Sequence, residues 1–486
     1  MFERWYASRP SPESAALIDQ ISDAGRAEAQ AAARRLMAIG ELFVLRLRDS
    51  GEHADEAIDT WDAVAAQVSA ALGCSLAMGS SYLRYAMAMR QRLPEVGSLF
   101  LAGQIDYRSF QTIVFRTDLI TDAEALARVD ALLAVRLSRY PSLTQGRLAA
   151  EVDRAVARSD RDAVRRAKDV FRDRYVDVIA DSHLAYVTGN VLPTDGQAIN
   201  LRLNELAATV CDADPRTREQ RRADALGALA SGAERLVCGC GSSDCAAAAR
   251  VLNSDVVIHV VADQSTVEGS GVAPGLMPGA DGLISAETVA EMAKNARLQP
   301  VLLPADEPEP RYVPSAKLAD FVRCRDLTCR APGCDKPAFD CDVDHTVAYS
   351  AGGWTHPSNL KLLCRKHHLL KTFGGWRDTQ LPDGTVIWQL PDGHIYVTTP
   401  GSAALFPSLC APTGDVPAPP DGTRNGYCGE RNAMMPRRRR TRAQNRARRI
   451  AAERRENHIA REAQAARSVA ADVPSPIGAD PDPPPF

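Results

Sequence analysis

The chain has 486 residues, of which 45% are hydrophobic, 24% charged and 6% aromatic. This length is about three times the usual size of one domain, so we expect two or more folded units. The composition excludes a wholly disordered chain. Taken alone, the formal net charge of −3 argues against a nucleic-acid partner.

Targeting signals and cysteine usage predict the compartment. The first residues lack the basic and apolar regions of a secretory signal, and no run of about 18 apolar residues follows. We therefore expect a cytoplasmic protein with no membrane partner. Twelve cysteines are too few for a disulfide scaffold of this length, so clustered cysteines favour metal binding.

The N-terminal three fifths of the chain predict a mostly helical domain over residues 12–304. Apolar side chains at helical spacing, separated by Pro, Gly and Asp/Ser breaks, extend from residue 12 to about residue 175. Alternating β-branched residues then predict a strand pair, Tyr175–Ala180 and Leu184–Leu192. From about residue 175 the domain is therefore predicted as mixed α/β.

The composition of residues 305–486 predicts a linker, a compact module and a long C-terminal segment. Four prolines and three acidic residues within Pro304–Pro314 predict a linker over 305–314. A compact module with a trailing β-hairpin is predicted over 315–399. Residues 400–486 are predicted as a linker, an arginine-rich helix-prone segment and a Pro-rich disordered end. The predicted fold class is mainly α with α+β parts, ending in a disordered basic tail.

Metal-ligating residues cluster inside the module, where four of the nine histidines fall within 24 residues. Cys329-x4-Cys334 and Cys364-x2-His367 are two close pairs separated by a loop. Such pairs can present four ligands tetrahedrally, which predicts a structural Zn²⁺ site. Helical spacing over Ser358–Lys371, with Ser358 as N-cap, would place Cys364 and His367 on one helix face.

Further thiols leave parts of this prediction open. Cys324 and Cys341 are extra cysteines beside the pairs, so the zinc ligands could be permuted. A second cluster, Cys238-x-Cys240-x4-Cys245, could hold a metal with one distant ligand, for example His259 or Cys211. Its spacing is nonstandard, so a reduced surface turn is the default interpretation.

Asp344-His345, the following Gly-Gly pair, Asn359 and His368 resemble the HNH nuclease motif in its zinc-stapled version, which has the ββα-metal fold. The resemblance covers residues 323–376. The whole chain also resembles actinobacterial HNH-signature proteins, from mycobacterial repeat families, whose N-terminal part is domain of unknown function 222. This second resemblance depends on helical stretches around Leu93 and Asp214.

The resemblance implies roles for these residues in phosphodiester hydrolysis. His345 would be the general base, and Asp344 with His368 would hold a catalytic Mg²⁺ or Mn²⁺. Asn359 would either complete the metal shell or orient His345. His367 stands where many relatives have cysteine, a substitution that zinc accepts. We interpret His356 as a surface residue.

Charge is unevenly distributed along the chain. Residues 311–376 carry a net charge of +4 and residues 437–467 one of +9, which leaves −16 for the rest. This separation predicts a polyanionic partner, for which we expect nucleic acid and specifically DNA. Six side chains of the module are candidate phosphate contacts: Arg330, Lys336, Lys361, Arg365, Lys366 and Lys371.

The sequence thus predicts a metal-dependent HNH endonuclease. The alternative is a zinc-stabilised nucleic-acid-binding protein without cleavage activity. The presence of all four candidate catalytic positions favours the enzyme.

Overall fold

The computed structural model describes residues 11–139, 143–165, 174–180, 184–247, 259–277, 283–294, 296–414 and 434–471. The helices are α1 Pro12–Ser50, α2 Thr60–Leu72, α3 Leu76–Met87, α4 Pro94–Leu101, α5 Tyr107–Thr117, α6 Ala123–Arg139, α7 Gln145–Ser159, α8 Pro193–Ala207, α9 Arg218–Ala230, α10 Gln264–Val267, α11 Ala286–Ala293, α12 Ala316–Asp326, α13 Arg365–Phe373 and α14 Arg442–Ala471. The strands are β1 Tyr175–Ala180, β2 Ala185–Asn190, β3 Gly275–Leu276, β4 Leu283–Ile284, β5 Cys341–His345, β6 Leu360–Cys364, β7 Arg377–Gln380, β8 Val386–Gln389 and β9 Ile395–Thr398. The mainly helical class with small sheets is as predicted.

Helices α1–α7 share one hydrophobic core. The long helix α1 is capped at its N-terminus by Ser11, whose side chain accepts from the Ser14 amide in a capping box, and at its C-terminus by Gly51. Along α1, Ala33, Leu36 and Phe43 lie on one buried stripe that faces this core. The helical prediction for this region is confirmed.

Helix α2 lies between two cores. Val64 and Val68 pack into the core of α1–α7, whereas Ala66 and Ala70 pack into a second core that contains residues 323–376, the Cys/His segment. Within the described ranges, no single helix is long and apolar enough to cross a membrane. Helix α2 and helix α3, the latter extended by the π-helical turn Ala88–Arg92, are long and apolar enough only when they are taken together, and this pair is bent by 110°.

The middle of the chain is built from small, separate sheets. Strands β1 and β2 pair antiparallel as predicted, and their described side chains are exposed. Strands β3 and β4 form a second short pair, and helices α8 and α9 lie against each other. The sequence Asp255–Val261 also predicts a short buried strand, most of which lies outside the described residues.

The second core brings the Cys/His segment together with a three-stranded sheet. Strand β8 lies between β7 and β9, so the predicted trailing hairpin is present with an additional strand. Trp388 on β8 and Phe321 on α12 are fully buried in this core. Arg325, also buried, donates to the carbonyls of Pro357 and Leu360 and thereby ties α12 to the start of β6.

The basic C-terminal segment is the main departure from the predicted fold. The helix-prone prediction for this segment agrees with α14, whereas the prediction of a disordered basic tail is wrong there, because α14 is docked against the helical domain. Ile450 is buried in the core of α1–α7, and Asn457 donates to the carbonyls of Asp162 and Val164. Aspartates of the helical domain also pair with arginines of α14, for example Asp118 with Arg446 and Asp160 with Arg454. The Pro-rich end, residues 472–486, lies outside the described residues.

Candidate metal centre and its surroundings

Two antiparallel strands and one helix form the frame of the candidate site. Strand β5 pairs with β6, with Cys341 opposite Cys364 and His345 opposite Leu360, and α13 follows β6 directly. The prediction of a helix from Ser358 is therefore wrong for residues 360–364. Every residue of β6 is buried, so strand pairing and core packing outweigh the local helical spacing.

Four ligand atoms converge beside this frame. The side chains of Cys329, Cys334, Cys364 and His367 place one sulfur or nitrogen atom each within 4.8 Å of the others. His367 Nδ1 lies 3.3 Å from Cys364 Sγ and 3.6 Å from Cys329 Sγ, and Cys334 Sγ lies 4.0 Å from Cys364 Sγ. Zinc–sulfur bonds of about 2.3 Å separate two tetrahedral thiolates by about 3.8 Å. The group therefore fits zinc.

The extra thiols of the segment have other partners. Cys341 donates through Sγ to the carbonyls of Pro337 and Lys336, at 3.2 and 3.6 Å. Cys324 does not belong to the converging group, and burial raises the pKa of its thiol to about 11. The geometry thus brings together the same four residues that the spacing predicted, as a group that could hold a metal ion.

A second group of thiols also converges. Cys211, Cys238, Cys240 and Cys245 place their sulfur atoms within 4.8 Å of one another, so they could hold a metal. Cys211 is therefore the distant member of this group. His259, the other candidate, stacks on the ring of Phe339 at a centroid distance of 3.6 Å.

On the opposite side of the hairpin, Asp344 and His368 face each other. Asp344 Oδ1 lies 3.4 Å from His368 Nε2, and His368 Nδ1 lies 2.9 Å from Asp342 Oδ2. Asp342 and Asp344 share one face of β5 because side chains alternate along a strand. His368 follows His367 on α13, and the two rings face different groups of side chains: His367 faces the thiols, and His368 faces Asp342 and Asp344.

Two lysines neutralise the other oxygen of Asp344. Lys361 Nζ donates to Asp344 Oδ2 at 2.7 Å, and Lys371 Nζ does so at 2.6 Å. Burial opposes ionisation of Asp344, but the charges of Lys361 and Lys371 outweigh it and lower its pKa to about 2. Lys361 also pairs with Asp378, at 2.5 Å, and is fully buried.

His345 lies next to Asp344 in a pocket of aromatic side chains. Its Nε2 is 2.9 Å from Thr355 Oγ1, and that hydroxyl donates to the carbonyl of Arg311 at 2.5 Å. Tyr312 stacks on the imidazole at a centroid distance of 5.4 Å. Burial lowers the pKa of His345 to about 4, against the opposing effect of Asp344, so the ring is neutral at pH 7.

Asn359 braces the loop that follows His345. Its Oδ1 accepts from the amide of Val347 at 2.8 Å, and its Nδ2 donates to the carbonyls of Val347 and Trp354. These bonds go to backbone atoms and fix the course of residues 346–354. His356, expected at the surface, is 1% exposed and accepts from the amide of Ser358 through Nδ1, so that expectation is wrong.

The structure divides the six candidate phosphate contacts. Arg330 is buried and donates to the carbonyls of Gly384 and Thr398, and Lys361 has no exposed surface. Both predictions are wrong, because aspartates and carbonyls inside the fold use these cations. The side chain of Lys371 is 11% exposed and pairs with Asp344, and Lys366 pairs with Asp62 at 3.0 Å. Lys336 and Arg365 keep more than half of their side chains exposed.

Three residues that support the site could not be identified from motif or spacing in the sequence. Asp378 on β7 neutralises Lys361, and Thr355 bonds His345. Asp326, fully buried, accepts from the amide of Leu362. Each partner lies 10 to 36 residues away along the chain, so only the folded arrangement reveals the contact.

The fold and site define a mainly helical protein with a Cys/His segment that can bind metal. Residues 23–326 match the family described as Domain of unknown function (DUF222), and the chain belongs to this family. The chain is 45% identical to Uncharacterized protein Rv3776 of Mycobacterium tuberculosis over 91% of this chain and 90% of the relative. It is 44% identical to Uncharacterized protein Rv2100 of the same organism, over 91% of this chain and 88% of that relative.

The family match ends at residue 326, just before the Cys/His segment. The resemblance of that segment to HNH nucleases therefore stays a prediction. No solved structure matches the chain.

Proposed function

We propose that the protein is a metal-dependent endonuclease, with zinc at Cys329, Cys334, Cys364 and His367 and a catalytic centre at Asp344, His345 and His368. The observation that carries the proposal is the pairing of Asp344 Oδ1 with His368 Nε2 across 3.4 Å. DNA is the expected substrate. The names of the relatives state no activity.

The Asp344–His368 pair fits a divalent cation. Neighbouring ligands about 2.1 Å from one octahedral ion lie about 3 Å apart, so Oδ1 and Nε2, which are 3.4 Å apart, would have to approach each other by about 0.4 Å. Asp342 bonds the other nitrogen of His368, an arrangement that orients histidine ligands in many metal sites. A Mg²⁺ or Mn²⁺ ion bound here would supply positive charge to stabilise the phosphate and the departing oxygen.

Thr355 fixes which nitrogen of His345 can act as a base. Its single hydroxyl hydrogen goes to the carbonyl of Arg311, because a carbonyl can only accept. His345 Nε2 must then donate to Thr355, which leaves the lone pair on Nδ1. We assign Nδ1 as the atom that takes the proton from the attacking water.

Exposed side chains near His345 suit a nucleic-acid strand. Tyr312, Tyr349 and Trp354 are 61%, 39% and 43% exposed, and the first two contact the ring of His345. Exposed aromatic rings provide stacking surfaces for bases. Arg365, 3.6 Å from Asp342, is available to a backbone phosphate.

The direct test is cleavage of supercoiled plasmid with Mg²⁺ or Mn²⁺. We expect His345→Ala to lower the rate by about 100-fold or more, the usual contribution of a general base. His394→Ala is the matched control, because His394 is an exposed histidine on the hairpin turn between β8 and β9. Equal cleavage by wild type and His345→Ala, or none with either ion, would contradict the proposal.

Thr355→Val tests the assigned nitrogen. The variant removes the acceptor for Nε2–H while keeping the side-chain shape, so kcat should fall with little change in KM. Thr355→Ser, which keeps the hydroxyl, should restore most of kcat. Equal loss in both variants would point to a packing role for Thr355.

The second candidate is a zinc-stabilised nucleic-acid-binding protein without cleavage activity. Two observations favour it: Lys361 and Lys371 already neutralise Asp344 Oδ2, and only 6% of His345 is exposed. This alternative predicts salt-sensitive DNA binding with no strand cleavage by wild type under any divalent ion.

A further inference from the structure

The second group of thiols lies outside the candidate catalytic centre. Cys211 follows α8, and Cys238, Cys240 and Cys245 lie in the loop after α9. Their four sulfur atoms lie within 4.8 Å of one another, although Cys211 is 27 residues from the nearest of the other three. Folding therefore completes a four-sulfur set from two separate parts of the chain.

The sulfur spacing suits a metal ion better than a disulfide. Cys211 Sγ and Cys238 Sγ are 3.5 Å apart, whereas a disulfide bond is about 2.0 Å long. All four cysteines are free. A distance of 3.5 Å is close to the roughly 3.8 Å edge of a tetrahedral zinc–thiolate site.

Polar contacts hold the loop around the thiols. Asp214 accepts from the amide of Gly239 at 2.7 Å, and Arg216 donates to Asp214 and to the carbonyl of Val237. The amide of Cys238 donates to the carbonyl of Ala247 at 2.9 Å. Gly241 has a φ of +73°, a conformation that favours glycine and lets the chain turn between Cys240 and Cys245.

Few apolar side chains stabilise this part of the chain. Among the described residues from 208 to 247, the buried hydrophobic residues are Ala225, Leu236, Cys238 and Ala247. Small units with little buried apolar surface usually need a disulfide or a metal to stay folded. The convergence of four thiols at this place supplies the ligands for such a staple.

We propose that Cys211, Cys238, Cys240 and Cys245 bind one zinc ion, a second structural site in the chain. Four thiolates select soft or borderline ions such as Zn²⁺ over Mg²⁺ or Mn²⁺. A set of four protein ligands leaves no open position for substrate, so the role is structural. This proposal is independent of the endonuclease proposal.

Metal analysis of the full-length protein, purified under reducing conditions, tests the count. We expect about two zinc ions per chain for wild type and for the control Cys74→Ser/Cys410→Ser, whose thiols lie outside both groups. Cys238→Ser/Cys240→Ser and Cys329→Ser/Cys364→Ser should each retain about one. Two outcomes would overturn the second zinc site. One is two zinc ions in the Cys238→Ser/Cys240→Ser variant, and the other is a single zinc ion in wild type that is still present in this variant.

A second measurement keeps the test decisive if a serine variant fails to fold. Cobalt that replaces the zinc of Cys329→Ser/Cys364→Ser after chelation should give the absorption of tetrahedral four-thiolate coordination. Cys240→His should restore the zinc that Cys240→Ser loses, because histidine is also a zinc ligand. A disulfide between Cys211 and Cys238 in the freshly purified protein, or no cobalt–thiolate absorption, would overturn the proposal.

Discussion

The two basic regions of the chain use their positive charge differently. In the Cys/His segment, Arg325 and Lys361 are buried and paired with aspartates inside the fold. In α14, Arg446 and Arg449 are about half exposed and reach across to Asp118 on the helical domain. The first set of pairs stabilises a module, whereas the second set attaches a helix.

This difference changes the meaning of the charge map. The arginine-rich segment was predicted to meet a polyanion, but much of its charge is matched by the acidic helical domain. Arg438 pairs with Asp59, and Arg454 pairs with Asp160 at 2.6 Å. Net charge along a sequence therefore does not give the number of cations that are free to bind phosphate. Burial and pairing decide that number.

The largest effect should come from breaking the buried set. Lys361→Met removes the buried lysine that pairs with both Asp344 and Asp378, and leaves Lys371 as the remaining lysine beside these two carboxylates among the described residues. Loss of one partner of a buried pair costs about 3 to 5 kcal/mol of unfolding free energy. Chemical denaturation followed by tryptophan fluorescence measures this loss, because Trp388 lies 5.8 Å from Lys361 Nζ.

Lys336→Met is the matched control, since its ion pair with Asp340 is more than half exposed. It should change the unfolding free energy by less than about 1 kcal/mol. Similar losses in the two variants would remove the distinction between buried and exposed cations in this segment.

The attachment of α14 should be weaker and sensitive to salt. Asp118→Asn removes the charge shared by Arg446 and Arg449, for a cost of about 1.5 to 3 kcal/mol. High salt should act in the same direction, because it screens half-exposed pairs more than buried ones. Limited proteolysis within α14 should accelerate in the variant and in high salt. Unchanged cleavage in both would show that Ile450 and Asn457 hold the helix without these ion pairs.

Acid should release α14 through the same carboxylate. Burial raises the pKa of Asp118, but the charges of Arg446, Arg449 and Arg92 lower it by more, so the pKa is below its usual value. Arg165 also faces this carboxylate. A lowered folded-state pKa contributes stability above the unfolded value of about 3.9 and loses it as pH falls through the folded value. The protection factors of the α14 amides, which correct for the intrinsic slowing of exchange in acid, should therefore fall below about pH 4 in wild type. Asp118→Asn should show a smaller change over the same interval, and an identical profile would contradict this assignment.

Local spacing predicted well the features that depend on neighbouring residues. The helices of the N-terminal region, the β1–β2 pair and the grouping of the four residues that could hold zinc follow from periodicity and from closely spaced Cys/His pairs. Contacts between distant segments were not predictable in this way. Examples are the strand β6, which pairing with β5 imposes on a helical pattern, and the docking of α14, which needs Asp118 and Asp160 in one place.

The smallest effect on stability should come from cations without a partner. Arg439 and Arg440 are exposed, have no ion pair among the described residues, and line an open pocket together with Lys366 and Arg438. Changing both to Gln should alter the unfolding free energy by less than about 0.5 kcal/mol. If these arginines contact phosphates, DNA affinity should fall and the slope of log K against log salt should decrease by about 2. Arg446→Gln, a paired arginine, should leave that slope unchanged while weakening the attachment of α14. Equal effects on DNA binding from paired and unpaired arginines would mean that α14 leaves the domain when DNA binds.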